Sequence, residues 1–150
     1  MPAISSNAAT RIVDEILSST DEILAVAIIQ ETGQNNMLAT KAVDSFKKEF
    51  GLPGQADKYG ATLAIAALAV ANELKDFAGE AQALITIYKK CKMMLVPIAS
   101  HEILVGLVLK RISSSSKVEE DPTFIMDIIE RSLSLSSDVH SDNNAAARIN

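Results

Sequence analysis

The segment ATLAIAALAVA, from Ala61 to Ala71, contains six alanines and four Leu, Ile or Val residues, and Thr62 is its only polar residue. It is rich in good helix formers, but it is too short to cross a bilayer, which takes about 20 apolar residues. A surface helix has one apolar stripe and one polar face. Because this helix has almost no polar face, we expect other protein segments to pack against it on more than one side. In a chain of 150 residues, we expect the second cover to be another copy of the protein.

The two sides of this predicted helix differ in bulk. Helical geometry groups Leu63, Ala67, Val70, Leu74 and Phe77 on one side. It groups Ala61, Ala64, Ile65, Leu68 and Asn72 on the opposite side. We expect the first side to fill one face of a sheet and the second, smaller side to pack closely on a helix of the mate. An ordinary core helix under a long loop is the alternative.

Strands flank this helix in the sequence. Ile23–Ile29 (ILAVAII) and Ile103–Leu109 (ILVGLVL) are continuous apolar runs, which is typical of strands buried on both faces. Three further strands are predicted at Met37–Thr40, Leu84–Lys89 and Met93–Ile98, with Lys90 and Cys91 in a tight turn before the last of these. Because the connections are short, neighbouring strands of a hairpin are expected to be antiparallel.

Three more helices complete the predicted order. Asn7 can cap a helix that runs to about Ser19, and a small helix around Phe46 is stopped by Gly51 and Pro53. The long helix ends at Gly79, and Asp121-Pro122 starts the last helix. The expected fold is an α/β protein of the α+β type, with the long helix on one face of the sheet and the terminal helices on the other. Residues 1–136 are predicted to form one domain and residues 137–150 a flexible tail.

Composition excludes several classes of function. The net charge is −5 and the sequence shows no basic stripe, so nucleic acid is not an expected partner. Cys91 is the only cysteine, so the chain can form neither an internal disulfide nor a thiolate zinc cluster. The N-terminus MPAISSNAATR lacks the basic flank and following apolar run of a signal peptide. A cytoplasmic location without membrane insertion is the simplest expectation.

The sequence does not contain a recognisable catalytic, cofactor or metal constellation. His101 falls in a predicted turn and His140 in the tail, and neither has carboxylates or thiols at ligand spacing. Cys91 lies between lysines, which can lower a thiol pKa, but an incidental turn cysteine is the simpler interpretation. The P-loop signature is absent, so the chain is not itself a P-loop GTPase. We therefore predict a protein that is not an enzyme and has no cofactor.

The chain resembles the roadblock/dynein light chain family from about Asn7 to Leu135. The resemblance is carried by the Glu31-Thr32-Gly33 turn after an apolar strand, the Ala/Leu helix ending in Gly79, Pro97 in the second strand of the meander, and the apolar third strand. It implies an antiparallel five-stranded sheet of order 2-1-5-4-3. It also implies a non-catalytic homodimer or heterodimer that serves as a scaffold for small Ras-like GTPases or motor complexes.

This resemblance leads to specific site expectations. The dimer is expected to form through the long helix and the edge strand, using Ala61, Ala64, Ile65, Leu68, Asn72, Ile85, Ile87 and Tyr88. A GTPase or another roadblock-like protein is expected to contact Thr62, Glu73 and Asp76 at the rim of the helix. Two alternatives stay open: a small-molecule sensor of the PAS or GAF type, and an adaptor subunit of a motor or membrane-scaffold complex.

Overall fold

The computed structural model describes residues 4–30, 37–50, 66, 69–111, 118 and 122–134. Two helices and five strands are α1 (Ser6–Ser19), β1 (Ile23–Gln30), β2 (Met37–Ala42), α2 (Asp44–Phe50), β3 (Leu84–Ile87), β4 (Cys91–Ile98) and β5 (Ile103–Lys110). We call the helical residues 69–78 α3 and the helical residues 123–134 α4. A short 3-10 turn, Ala99–His101, connects β4 to β5.

The strands form one antiparallel sheet of order β2-β1-β5-β4-β3. This confirms the predicted fold class, strand order and number of strands. The two continuous apolar runs lie side by side, with Val26 opposite Leu107 and Ile28 opposite Val105. Their neighbours β2 and β4 shield both strands from the sheet edges, which explains why these two sequences lack the polar alternation of an edge strand.

The main core lies on the first face of the sheet, between the strands and the terminal helices. Strand residues that share this face alternate along each strand, and they form one buried cluster with apolar residues of α1 and α4. The cluster includes Ile12, Ile16, Val26, Ile28, Met94, Val96, Ile103, Val105, Leu107, Ile125 and Ile129. The expectation that the terminal helices cover one face is therefore correct for the described residues.

The second face carries a smaller buried cluster of Ile29, Leu95 and Leu104, with Leu84 packed against it. Beside this cluster the floor of the sheet is made of small side chains. Gly106 lies opposite Leu95 and Ala27 lies opposite Gly106, and a Cβ on Gly106 would stand 3.5 Å from Leu95 Cδ2. The bulky apolar side chains of this face therefore lie at one end of the central strands.

Several predicted boundaries differ from the structure. The cap of α1 is Ser5 rather than Asn7, because the Ser5 hydroxyl accepts a hydrogen bond from the Ala8 amide at 3.1 Å. β2 and β4 are longer than predicted, and β3 is shorter, ending at Ile87. Val118 is only 2% exposed and belongs to the main core.

The predicted end of the long helix is confirmed. Gly79 has a φ of +86°, and its amide donates to the Lys75 carbonyl at 2.9 Å. This is the left-handed conformation that commonly ends a helix and that glycine adopts without strain. The predicted turn at Glu31-Thr32-Gly33, the loop through Pro53, the Asp121 start and the tail of residues 137–150 lie outside the described residues.

Candidate interaction surface

The described part of α3 presents an exposed apolar stripe. Val70, Leu74 and Phe77 follow each other at helical spacing, and their exposed fractions are 48%, 51% and 90%. From residue 69 to residue 78, Ala71 is the only one that is half-buried, and the others are exposed. Burial of a large apolar side chain is favourable, but Phe77 gains almost none of this free energy in the single chain because it is 90% exposed.

This exposure corrects one sequence-based expectation. Val70, Leu74 and Phe77 were expected to fill a face of the sheet, and that expectation is wrong for these three side chains, because their exposed fractions are 48%, 51% and 90%. An apolar helix gives no sequence signal for which of its two sides meets its own sheet. The structure leaves the bulky side available for another molecule.

The edge strand β3 adds a second exposed apolar element. Ile85, Ile87 and Tyr88 are 43%, 60% and 44% exposed. β3 pairs with β4 on one side only, with Leu84 opposite Leu95 and Ile87 opposite Lys92. Its outer edge is therefore a row of backbone groups that a further strand can pair with. This edge has no charged residue between Leu84 and Ile87, although charge is the usual protection of an edge strand.

The predicted site residues divide into two groups. Asn72, Glu73, Asp76, Ile85, Ile87 and Tyr88 are described, and each of them is exposed. The remaining predicted residues, Ala61, Thr62, Ala64, Ile65 and Leu68, lie outside the described residues. Six residues of the predicted site are therefore accessible to a partner. Val70, Leu74 and Phe77, which were predicted to pack on the sheet, are accessible as well.

Carboxylates flank the apolar stripe of α3. Glu73 and Asp76 are both exposed, and their spacing of three residues places them next to each other along the helix. Glu73 lies beside Val70 and Leu74 on the helical wheel, whereas Asp76 lies further round. The helix therefore presents an apolar centre with an acidic border, which is the composition of many weak regulatory interfaces.

His101 and Cys91 lie outside this surface, near opposite ends of β4. His101 is half-buried in the 3-10 turn at one end of the sheet, and Cys91 is a half-buried thiol, outside any disulfide, at the first position of β4. Cys91 thus closes the predicted turn rather than lying within it. Within the described residues there is no group of three His, Cys, Asp or Glu side chains that could hold a metal ion. None of the helices in the described ranges is long and apolar enough to cross a membrane.

Comparison with known proteins gives a clear result for the fold. Neither a protein-family model nor a curated protein sequence matches the chain. A structure of MglB with a tetrameric arrangement is similar, with a TM-score of 0.62 and 18% identity over 88% of this chain and 94% of that chain. Gliding protein MglB from Thermus thermophilus has a TM-score of 0.58 and 16% identity over 88% of this chain and 93% of its own.

A roadblock/LC7 domain from Streptomyces avermitilis is also similar, with a TM-score of 0.55 and 8% identity over 87% of this chain and 95% of that chain. The matches cover nearly the whole of each structure, so the likeness extends to the complete domain. The protein therefore has a roadblock-like fold, as its sequence resemblance implied. The particular structures that define this likeness are MglB proteins and a roadblock/LC7 domain.

Proposed function

We propose that this protein is a non-catalytic binding module of the cytoplasm, which acts as a homodimer and holds a small Ras-like GTPase. The observation that carries the proposal is the exposed apolar surface of α3 and β3. These two elements carry six large apolar side chains, each between 43% and 90% exposed: Val70, Leu74 and Phe77 on α3, and Ile85, Ile87 and Tyr88 on or directly after β3. Large exposed apolar patches mark interaction sites in soluble proteins.

A second copy of the chain is the proposed cover for this surface. The helix is apolar on both sides in sequence, and both Asn72 and the opposite stripe are exposed in the described part. One helix of a mate, related by a twofold axis, can pack against it. Helical geometry groups Ala61, Ala64, Ile65 and Leu68 on the side opposite the stripe, so we assign them to a second contact of the dimer, in which the alanines let two helices approach closely. The MglB structure with a tetrameric arrangement supports assembly of this fold.

The proposed dimer also uses the edge of the sheet. Pairing of β3 with its mate would satisfy the outer backbone groups between Leu84 and Ile87 and would shelter Ile85 and Tyr88. It would extend the five-stranded sheet across the dimer. Packing of α3 and pairing of β3 are independent contacts, so each can be weakened separately.

The proposed GTPase contact is the acidic border of α3, together with Thr62. Glu73 beside the apolar stripe and Asp76 further round the helix are exposed and are suited to a partner surface with basic side chains. Such a contact is steered by charge and weakens with salt. The described residues offer no constellation for nucleotide chemistry, and the sequence lacks a P-loop. We therefore expect that the protein alone does not hydrolyse GTP, and that any effect on a GTPase arises from binding.

The test begins with affinity capture from the native cytosol, loaded with either GDP or a non-hydrolysable GTP analogue and read by mass spectrometry. A small GTPase recovered in this way is then purified, and its affinity is measured with wild-type protein and with Glu73→Lys/Asp76→Lys. We expect the double charge reversal to weaken binding by about tenfold or more.

The matched control is Asp127→Lys/Glu130→Lys on α4. It has the same change of charge and the same spacing of three residues, and both residues are exposed on a different helix. Equal loss in both variants would assign the effect to net charge, and unchanged binding in both would refute the surface assignment. Recovery of a motor or membrane-scaffold protein without a GTPase would support an adaptor of that class. A co-purifying metabolite would support a sensor.

A further inference from the structure

The fold collects basic side chains at one end of the sheet. Lys89 and Lys90 form the two-residue connection between β3 and β4, and the Tyr88 amide donates to the Cys91 carbonyl at 2.8 Å across this turn. Register adds cations from the neighbouring strands. Lys92 lies on β4 directly after the turn, and β5 ends opposite it with Lys110, which pairs with Cys91, followed by Arg111.

We name these five residues the basic tip: Lys89, Lys90, Lys92, Lys110 and Arg111. Lys92 is half-buried and the other four are exposed. The chain has 14 Lys and Arg residues and a net charge of −5, so the basic tip leaves a net charge of −10 on the rest of the molecule. Lys89, Lys90 and Lys92 are close in sequence, and strand register brings Lys110 and Arg111 to the same end of the sheet.

Two acidic residues of the described fold lie at the same end of the sheet and offset part of this charge, which leaves the five cations in excess there. Asp21 and Glu22 precede β1, and the Glu22 carbonyl accepts a hydrogen bond from the Lys110 amide at 3.0 Å. At the opposite end of β4 and β5, Glu102 is separated from the tip by the eight residues of β5. Eight residues of strand span about 27 Å, which is about three Debye lengths at physiological salt.

We propose that the basic tip docks the protein peripherally on a membrane surface rich in anionic phospholipid. Clusters of four to eight Lys and Arg residues attract such surfaces, with each charge contributing to the affinity. Four of the five cations are lysines, which act as hydrated point charges and suit a diffuse anionic surface rather than one bidentate phosphate site.

The shape of the tip favours a lipid surface over an acidic protein segment. A hairpin turn is convex, because its residues project beyond the last paired residues of its two strands. A planar, deformable layer of headgroups meets a convex tip without requiring a matching pocket. The inference does not rest on the proposed GTPase or on the dimer, because the lysines of the turn lie beyond the last residue of β3.

The experiment is cosedimentation of the full chain with vesicles of 30 mol% phosphatidylserine in phosphatidylcholine (about the content of an anionic leaflet) and with vesicles of phosphatidylcholine alone. We expect binding to the anionic vesicles only, with loss of binding at high salt. Lys89→Glu/Lys90→Glu is expected to lower the apparent affinity by about 30-fold or more, since each lost cation weakens attraction to the surface.

The matched control is Lys47→Glu/Lys48→Glu, an equally charged exposed pair on α2. α2 follows β2, which lies at the far edge of the sheet, four strand spacings or about 19 Å from β3. The proposal requires this control to keep its affinity. Equal binding to both vesicle types, absence of binding, or equal loss in both double variants would overturn it. Binding to polyglutamate without binding to vesicles would assign the tip to an acidic protein partner instead.

Discussion

Truncation of Phe77 should separate the dimer without unfolding the chain. Its side chain is 90% exposed, so Phe77→Ala removes almost no contact from the single chain. A buried aromatic side chain covers about 150–250 Å², which corresponds to about 4–6 kcal/mol at 25 cal/mol per Å². Alanine retains part of this area, so we expect a loss of about 2–3 kcal/mol for each copy. A twofold interface contains the residue twice, and the dimer dissociation constant should therefore rise by about 10³- to 10⁴-fold.

Sedimentation equilibrium over a range of concentrations measures this change, and urea denaturation below the dissociation constant measures the stability of the monomer. We expect a large shift in the first and a difference within about 0.5 kcal/mol in the second. Glu80→Ala, at an exposed position just beyond α3, serves as a control that leaves the stripe intact. An unchanged dissociation constant for Phe77→Ala would show that the stripe of α3 is not the dimer contact.

Three further outcomes follow from the described residues. Gly79→Ala should lower the free energy of unfolding by about 1–2 kcal/mol, because the φ of +86° is strained for a residue with a Cβ. No atom of the described residues lies within 4 Å of the added Cβ, so the whole loss would come from the backbone conformation. An effect near zero in urea denaturation would contradict this reasoning. Ser132 is 2% exposed and its hydroxyl has no partner among the described residues, so Ser132→Ala should raise the free energy of unfolding by about 1 kcal/mol, and a clear loss would indicate an unrecognised hydrogen bond. In hydrogen exchange, the β3 amides that point away from β4 should be protected in the wild-type dimer and fast in the Phe77→Ala monomer; fast exchange in both would leave helix packing as the only contact.

The sheet was predictable because its sequence signals are strong. Continuous apolar runs at Ile23–Ile29 and Ile103–Leu109 identify strands that need neighbours on both sides, and the structure places them side by side. Gly79 marked the end of the long helix because a left-handed φ is otherwise costly. In these places local propensity and tertiary packing favour the same conformation.

The candidate surface was predictable only in part. Helical periodicity identified the two sides of α3 but could not assign them, because Val70 and Phe77 are as suitable for a sheet as for a mate. The Ser5 cap was missed because Ser5 and Asn7 are both good capping residues two positions apart. The basic tip depends on strand register, which brings Lys110 to Cys91 from 19 residues away in the sequence. Contacts of that kind have no local signal.

Light scattering of the wild-type chain at micromolar concentration, coupled to size exclusion, tests the central claim most directly. The proposal that a second copy covers α3 and β3 predicts a single species of about 32 kDa, twice the 16.0 kDa of one chain. A folded, stable species of 16.0 kDa at that concentration would contradict it, because the six exposed apolar side chains of this surface would then have no cover from a second copy.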